Sequence, residues 1–153
     1  MQVPLIAYST GERGLISQVL APKFGGFLVY GTIEGQVVPG LPTLSSLRQV
    51  YQVEDIDADT KVFGLVSKPV SHSKGPILHN PTFRRVGYNA LYVPMLVDDL
   101  KGFFNVYSSP DFAGFRYFIC GFPSLMKCNK LNTSMVIACW LPQISKSFNK
   151  LVW

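Results

Sequence analysis

Short apolar runs alternate with amphipathic stretches through most of this chain, and that alternation is the strongest constraint on its fold. The apolar runs 4–8 and 27–30 predict buried strands, while the stretch 12–23 carries the one-sided apolar stripe of a helix. A further helix is predicted over residues 43–51. Buried strands that alternate with helices pair in parallel, so we expect an α/β fold.

The same alternation resumes after an acidic, turn-rich stretch at residues 54–60. This stretch lacks the ligand spacing and the central glycine of a calcium-binding loop, and we interpret it as a solvated linker. Residues 117–153 show no clear period and are interpreted as a divergent tail. Between the linker and the tail, the sequence predicts strand 61–67, helix 75–86, strand 90–97, helix 98–107 and a strand that begins at 112–115.

Composition and charge narrow the function classes. The 153 residues are 48% apolar, which is enough for a core and argues against disorder. Residues 117–153 contain four lysines and no acid, so most of the net charge of +5 lies there. Because no stripe of interleaved arginines and aromatic rings accompanies that charge, we expect no nucleic-acid partner. No apolar run approaches the roughly 18–20 residues that span a bilayer, so we expect no membrane partner.

The three cysteines indicate neither a metal site nor a disulfide framework. The gaps between Cys120, Cys128 and Cys139 match no paired spacing of zinc ligands, and no histidine lies near them in sequence. An odd number of cysteines also argues against a framework of disulfide bonds. We therefore expect structural or incidental cysteines and no bound metal.

The loop His72-Ser73-Lys74-Gly75-Pro76 is the most suggestive site for chemistry. It gathers a hydroxyl, an ammonium and an imidazole at the predicted start of a helix. The backbone N–H groups there point outward and favour a carboxylate or a phosphate. Ordinary helix capping is the alternative interpretation, because serine and glycine are common immediately before a helix.

This loop carries a resemblance to a known family. Residues 61–80 resemble the opening strand and substrate loop of shikimate dehydrogenases, and the resemblance continues through 86–93 and 107–115. Upstream, residues 4–40 resemble the last two strand–helix units of type I 3-dehydroquinate dehydratase. The two families are fused in this order in the plant bifunctional 3-dehydroquinate dehydratase/shikimate dehydrogenases, which the chain resembles over about residues 3–116.

The resemblance implies four parts. Residues 1–53 would be the C-terminal portion of a (β/α)8 dehydratase barrel, and residues 61–116 would be part of the N-terminal substrate-binding domain of a shikimate dehydrogenase. Residues 54–60 would link them, and 117–153 would form the tail. Since a complete barrel needs eight units and about 250 residues, we expect both domains to be incomplete in a truncated chain.

The resemblance also assigns substrate binding to two positions of the loop. A Ser-x-Ser motif binds the substrate carboxylate in the dehydrogenase family; Ser73 matches the first serine, whereas Gly75 replaces the second. Loss of a hydroxyl that faces a charged ligand costs about 1.5–3 kcal/mol. Plant paralogues that act on quinate resemble this chain in having the glycine, and quinate carries an extra C1 hydroxyl. We therefore favour quinate over shikimate.

No catalytic residue of the dehydrogenase family is retained at a matching position. The family's catalytic lysine follows a proline in Pro-His-Lys-Glu, whereas Ser124, Leu125 and Met126 follow Pro123 here, and Lys127 is out of register. The resemblance implies NADP as the cofactor. However, the sequence contains no Gly-x-Gly-x-x-Gly fingerprint, so we expect the NADP-binding domain to be absent from this chain.

The dehydratase positions are substituted as well. The resemblance places the family's Schiff-base lysine, histidine and glutamate on strands upstream of Met1. Val37 and Leu41 replace the polar residues of the family's substrate-closing loop, Ser-Ala-Pro-Gly-Gln. Gln18 lies where many microbial members have a substrate-binding arginine. We therefore expect a weak or lost dehydratase site.

The leading hypothesis is a truncated, inactive member of this family. By resemblance, the assigned chemistry is dehydration of 3-dehydroquinate and NADP-linked shikimate or quinate oxidoreduction in the shikimate pathway. The alternative is a non-catalytic remnant or binding module that holds a cyclohexane carboxylate, such as quinate, at Ser73. We expect a monomer whose partner is shikimate, quinate or 3-dehydroshikimate. The resemblance implies a chloroplast location, although no transit peptide is visible.

Overall fold

The structure, a computed structural model, describes residues 4–68, 70, 73–118 and 136–140, and only the backbone of 117, 118 and 136–140. The helices in these ranges are α1 (Leu15–Val19), α2 (Gly75–Arg85) and α3 (Leu100–Val106), with a π-helical turn at Ser46–Tyr51 and a 3-10 turn at Val53–Asp55. The strands are β1 (Lys61–Ser67), β2 (Ala90–Leu96), β3 (Phe112–Phe118) and β4 (Val136–Trp140).

The four strands form one sheet in the order β2-β1-β3-β4. β1 lies parallel to β2, with Lys61 opposite Ala90 and Ser67 opposite Leu96, and it also lies parallel to β3. β4 pairs antiparallel with β3. α2 and α3 supply the crossovers that parallel strands need, so the carboxyl ends of β1, β2 and β3 meet at one edge of the sheet. The predicted α/β class is confirmed.

The two faces of the sheet carry separate cores, because successive side chains of a strand point to opposite faces. The face covered by α2 is lined by Phe63, Leu65, Phe83, Tyr92 and Ala113. The opposite face buries a larger cluster, whose strand residues include Val62, Val66, Leu91, Val93 and Met95. The sheet is therefore covered on both sides, as parallel strands require.

The N-terminal region belongs to the second of these cores. Val19 and Leu20, in and just after α1, are buried in the same cluster as Val62 of β1. Leu47 and Tyr51 of the π-helical turn join that cluster, and burial raises the pKa of the Tyr51 hydroxyl. The regions before and after residues 54–60 thus share one core.

Two cations also join the N-terminal region to the rest of the fold. The Lys23 ammonium donates to the Ala58 carbonyl at 2.6 Å and lies 2.9 Å from Oδ1 of Asp111. Arg84, near the end of α2, donates from Nη2 to the Val50 carbonyl at 2.7 Å. Each contact connects residues far apart in sequence, so the two regions form one packed unit.

Two of the predicted strands are wrong. In residues 4–8 the ladder is reduced to one isolated parallel bridge, from Leu5 to Gly26, which immediately precedes 27–30; the Phe27 N–H also donates to the Leu5 carbonyl at 2.9 Å. Strands of a parallel sheet are normally held between neighbours and covered on both faces. The bridge joins these two segments only to each other within the described ranges, so the ladder does not extend.

The other predicted elements vary in length. α1 is shorter than the predicted helix 12–23, because Gly14 caps its start and Pro22 follows soon after its end. In place of the predicted helix 43–51 there is the π-helical turn Ser46–Tyr51, which ends before Gln52, whose φ is +44°. The predicted strands and helices from 61 to 115 are confirmed, and β3 continues to Phe118.

The predicted linker is exposed along most of its length, but hydrogen bonds hold it in place. The Asp57 carboxylate accepts from the Asn89 amide at 3.0 Å, from the Thr60 hydroxyl at 3.1 Å and from the Asp59 N–H at 2.9 Å. The contacts with Asn89 and then Thr60 hold the pKa of Asp57 below its usual value.

In the part of the chain that is described, no helix is both long and apolar enough to cross a membrane.

Candidate functional site

The loop between β1 and α2 emerges at the carboxyl edge of the sheet. The structure describes Lys68, Val70, Ser73 and Lys74 of this loop, whereas His72 lies outside the described residues. The Ser73 N–H donates to the Val70 carbonyl at 3.1 Å, and the Ser73 hydroxyl oxygen accepts from the Gly75 N–H at 3.2 Å. The Ser73 hydroxyl thus lies at the start of α2, where its own hydrogen can be offered to an acceptor.

The start of α2 also favours negative charge. Gly75 opens an eleven-residue helix, and Pro76 lies in the first turn, where its missing N–H removes no helical bond. The exposed Lys74 precedes the helix. The positive end of the helix dipole and the ammonium both favour a carboxylate at this point. The N-cap residue is Lys74, which makes no side-chain capping bond, and the Ser73 hydroxyl bonds the Gly75 N–H from one position before it.

Tyr92 of β2 lies beneath the start of α2 and is held on two sides. The Asn80 side chain, 1% exposed, accepts from the Tyr92 N–H at 2.6 Å and donates to the Tyr92 carbonyl at 3.1 Å. The Asn80 amide therefore pairs with the outer edge of β2 as a neighbouring strand would. On the ring itself, His79 packs with its centroid 4.5 Å from that of Tyr92.

The electrostatics of this cluster are set by burial and by one cation. Burial lowers the pKa of His79, and the nearby Arg116 guanidinium lowers it further, so the imidazole is neutral at neutral pH. Burial raises the pKa of the Tyr92 hydroxyl, and hydrogen bonding and charge from Arg116 partly oppose this. The exposed Arg116 of β3 therefore supplies positive charge beside a neutral phenol and a neutral imidazole.

A separate cleft of about 340 Å³ lies between α1 and α3, at the end of β2. Asp98 in this cleft lies 2.6 Å from the Lys68 ammonium and also pairs with the Arg13 guanidinium. No sequence motif marks this cluster, because Arg13, Lys68 and Asp98 come from three distant segments of the chain. Its main charged groups are paired with one another.

The three dehydratase positions differ in burial and in their contacts. Gln18 in α1 is 1% exposed, and its Oε1 accepts from the Tyr30 N–H at 2.9 Å. Its Nε2 has no hydrogen-bond partner among the described residues. Val37 is 93% exposed, and Leu41 pairs with Val38 across a tight loop. The buried Gln18 side chain therefore fixes the backbone at Tyr30, whereas Val37 lies at the surface.

No group of three or more His, Cys, Asp or Glu side chains that could hold a metal ion occurs within the described residues. Cys120 and Cys128 lie outside them, and of Cys139 only the backbone is described. The positions around Pro123 and Lys127 also lie outside.

Comparison with known proteins matches the two regions of the chain separately. Residues 1–58 match the family model for type I 3-dehydroquinase, and residues 65–119 match the model for the shikimate dehydrogenase substrate binding domain. The chloroplastic bifunctional 3-dehydroquinate dehydratase/shikimate dehydrogenase of Arabidopsis thaliana is 48% identical over 129 residues, or 83% of this chain. The chain belongs to the dehydroquinate dehydratase/shikimate dehydrogenase family. The family resemblance stated from the sequence is therefore confirmed.

Other relatives match over a shorter stretch of the chain or with lower sequence identity. The shikimate dehydrogenase (NADP(+)) of Pyrococcus furiosus is 43% identical over 60 residues, which are 39% of this chain and 22% of that protein. A solved structure of dehydroquinate dehydratase and shikimate dehydrogenase from S. pombe AroM covers 78% of this chain and 22% of its own, with 27% identity and a TM-score of 0.37. The match to the Arabidopsis dehydroquinate dehydratase/shikimate dehydrogenase spans 21% of the length of that protein.

Proposed function

We propose that this chain supplies the carboxylate-binding part of the substrate site of a shikimate or quinate dehydrogenase. One observation carries the proposal: the Ser73 hydroxyl lies 3.2 Å from the Gly75 N–H, at the start of α2. That point is at the edge where the carboxyl ends of the parallel strands meet, and ligands of open α/β sheets bind at this edge. A carboxylate there would receive the Ser73 hydrogen bond together with the favourable helix dipole.

The proposed ligand is a cyclohexane carboxylate, namely shikimate, quinate or 3-dehydroshikimate, and we favour quinate. Gly75 provides no second hydroxyl, which weakens binding of a carboxylate by roughly ten- to a hundredfold relative to a Ser-x-Ser site. Quinate carries a hydroxyl on the same carbon as its carboxylate. In this way the ligand itself provides a polar group, which the protein lacks at Gly75.

We propose the domain limits 1–53, 54–60, 61–116 and 117–153 for the barrel portion, linker, substrate-binding part and tail. The buried Gln18 and the exposed Val37 support the proposal that the barrel portion retains a weak dehydratase site or none. By relation to the Arabidopsis protein we also propose a plastid location. We also propose that the chain is a monomer.

NADP is the cofactor that we propose for the complete enzyme, in which it would donate or accept the hydride. The strand-to-helix turns of the described residues carry no Gly-x-Gly-x-x-Gly sequence, so these residues do not fit the dinucleotide and we assign no NADP contact to them. The sequence after Pro123 also departs from the family's Pro-His-Lys-Glu motif. We therefore expect no NADP-linked turnover from the 153-residue polypeptide.

Calorimetric titration of the full chain with quinate and shikimate tests the site. Ser73→Ala should weaken binding of both acids by about ten- to a hundredfold, because it removes a hydrogen bond to a charged group. Ser109→Ala is the matched control, since its hydroxyl also accepts from the N–H two residues later, in the turn before β3, at 3.3 Å. Methyl quinate, which lacks the negative charge, should bind weakly to every variant.

Two results would contradict the proposal. One is the absence of heat with millimolar quinate; the other is equal affinity of Ser73→Ala and the unmodified chain. A parallel NADP-coupled assay separates the enzyme from the alternative, a non-catalytic module that binds a cyclohexane carboxylate. Binding without turnover supports the module for this polypeptide, and turnover above background would show that a catalytic group lies in the chain.

A further inference from the structure

We propose that Asp98 is a positioning residue for the loop between β1 and α2, residues 68–74, and that it connects this loop to the N-terminal region. The Lys68 ammonium lies 2.6 Å from Oδ1 of Asp98, and the Arg13 guanidinium pairs with Oδ2 of the same carboxylate. One carboxylate therefore joins two cations from distant parts of the chain. Its effect on a ligand rests on the proposed function, in which Ser73 of this loop binds a carboxylate.

Lys68 is the first residue of the loop. β1 ends at Ser67, which is buried and lies opposite Leu96 in the last register pair of β1 and β2. Because the two strands are parallel, the chain leaves both of them at the same edge of the sheet. The pair between Lys68 and Asp98 joins these two exits, so it fixes the start of the loop against the end of β2.

The Asp98 carboxylate is held in place by its neighbours in the chain. Val97 on one side is buried in the larger core. Asp99 on the other side caps α3, and its carboxylate accepts from the Lys101 N–H at 3.0 Å. Since the residues on both sides of Asp98 are fixed, its carboxylate can hold the long and flexible side chain of Lys68 in one place.

The turn that carries Arg13 is fixed as well. The Gly14 N–H donates to the Gly11 carbonyl at 2.8 Å, and a Cβ at Gly14 would overlap the Ser9 carbonyl oxygen. Glycine at this position therefore lets the turn close. Arg13 then reaches Asp98 from the N-terminal region, so that region contacts the same carboxylate as the first residue of the loop.

The exposure of these side chains sets the size of the effect. The Lys68 side chain is 60% exposed and that of Asp98 is 37% exposed, so water screens their attraction. Exposed ion pairs contribute little to global stability. A loop that is already ordered pays less conformational entropy when it binds a ligand. Loss of the pair should therefore lower the affinity of the loop for its ligand and leave the unfolding midpoint in urea unchanged.

The first experiment measures the order of the loop without any ligand. In the isotope-labelled full chain, the NMR order parameter of the Ser73 amide, which donates to the Val70 carbonyl at 3.1 Å, should fall in Asp98→Asn. Glu54→Gln is the matched control. Glu54 forms an exposed ion pair with Arg48 at 3.1 Å, and its substitution changes the net charge equally and should leave the Ser73 amide unchanged.

The second experiment measures affinity by calorimetry with quinate and shikimate. Asp98→Asn should weaken both acids by about two- to fivefold, which is the range that an exposed ion pair can supply. The sign is diagnostic, because removal of a negative charge would by itself strengthen the binding of an anion. Lys68→Arg keeps the pair and should keep the affinity. Asp98→Asn added to Lys68→Met should weaken binding no further than Lys68→Met alone.

The outcomes separate this proposal from the proposed function. An affinity of Asp98→Asn equal to or higher than that of Glu54→Gln would overturn the effect of Asp98 on binding and leave Ser73 as the ligand-binding residue. Equal order parameters of the Ser73 amide in these two variants would overturn the positioning of the loop, whatever the ligands do. If the unmodified chain binds neither acid, the proposed function and the effect on affinity both fail, while the order parameter still decides whether Asp98 positions the loop.

Discussion

Replacement of Lys23 by methionine tests whether the N-terminal region and the sheet are one packed unit. The Lys23 side chain is 1% exposed, and its ammonium lies 2.6 Å from the Ala58 carbonyl and 2.9 Å from Oδ1 of Asp111. Methionine keeps the packing of the aliphatic stem and removes both polar contacts. The change therefore isolates the contribution of the ammonium group.

The magnitude follows from the environment of the two acceptors. A hydrogen bond to a charged group contributes about 1.5–3 kcal/mol. The Asp111 side chain is 38% exposed, so water can solvate its carboxylate once the ammonium is gone. The methionine side chain also avoids the cost of burying a charge. We therefore expect Lys23→Met to lower the free energy of unfolding by about 1–3 kcal/mol, less than two full charged hydrogen bonds.

Urea unfolding followed by far-UV circular dichroism measures this change. Lys101→Met is the matched control, because Lys101 is exposed on α3, and it should change the free energy of unfolding by less than about 0.5 kcal/mol. Equal unfolding midpoints for Lys23→Met and Lys101→Met would refute the reasoning. That result would mean that the ammonium does not join the two regions.

Three further predictions concern stability. Asn80→Ala should lower the free energy of unfolding in urea by about 2–4 kcal/mol, because it leaves the Tyr92 N–H and carbonyl unpaired at a buried edge. Asn80→Asp cannot donate to the carbonyl and should recover only part of this loss. Full recovery in Asn80→Asp would contradict the role of the donated hydrogen bond. Gly87→Ala should cost about 1 kcal/mol, since Gly87 closes α2 at a φ of +68° with open space around it, whereas Gly87→Asn should cost less; equal stability of all three chains would exclude a strain effect. The hydrogen bond from Lys23, followed by that from Ser109, holds the pKa of Asp111 below its usual value. The ionised carboxylate therefore stabilises the fold at pH values above its unfolded pKa of about 4. This stabilisation is lost as the pH falls through the lower pKa of the folded state. The unmodified chain should therefore lose more stability between pH 7 and pH 3 than Lys23→Met does, and parallel pH profiles would rule this out.

The sequence predicted the elements whose signals are local and whose neighbours lie close in the chain. The strand 61–67 and the helix from Gly75 were predicted from apolar runs and from a proline in the first helical turn, and β1 and α2 form there. The segments 4–8 and 27–30 carry equally apolar runs. Neither becomes a strand, and the one bridge nearby joins Leu5 to Gly26, because a strand depends on its neighbours as well as on its own residues.

The candidate site was predictable only in part, for a similar reason. Ser73 and Gly75 belong to a contiguous motif, so their proximity follows from the sequence. Tyr92 could not be placed against Gly75 without the register of β1 and β2 and the position of α2 over the sheet. Asn80 showed no signal at all, because its role is to pair with the backbone of β2 and not with another side chain.

Mapping of amide chemical shifts on the isotope-labelled chain, titrated with quinate, tests the central claim most directly. If Ser73 and the start of α2 bind the carboxylate, saturable shifts should centre on the amides of Ser73, Gly75 and Ile77, and Ser73→Ala should abolish them at the same ligand concentration. Shifts centred instead on the cleft around Arg13 and Asp98, or shifts that persist unchanged in Ser73→Ala, would contradict the account.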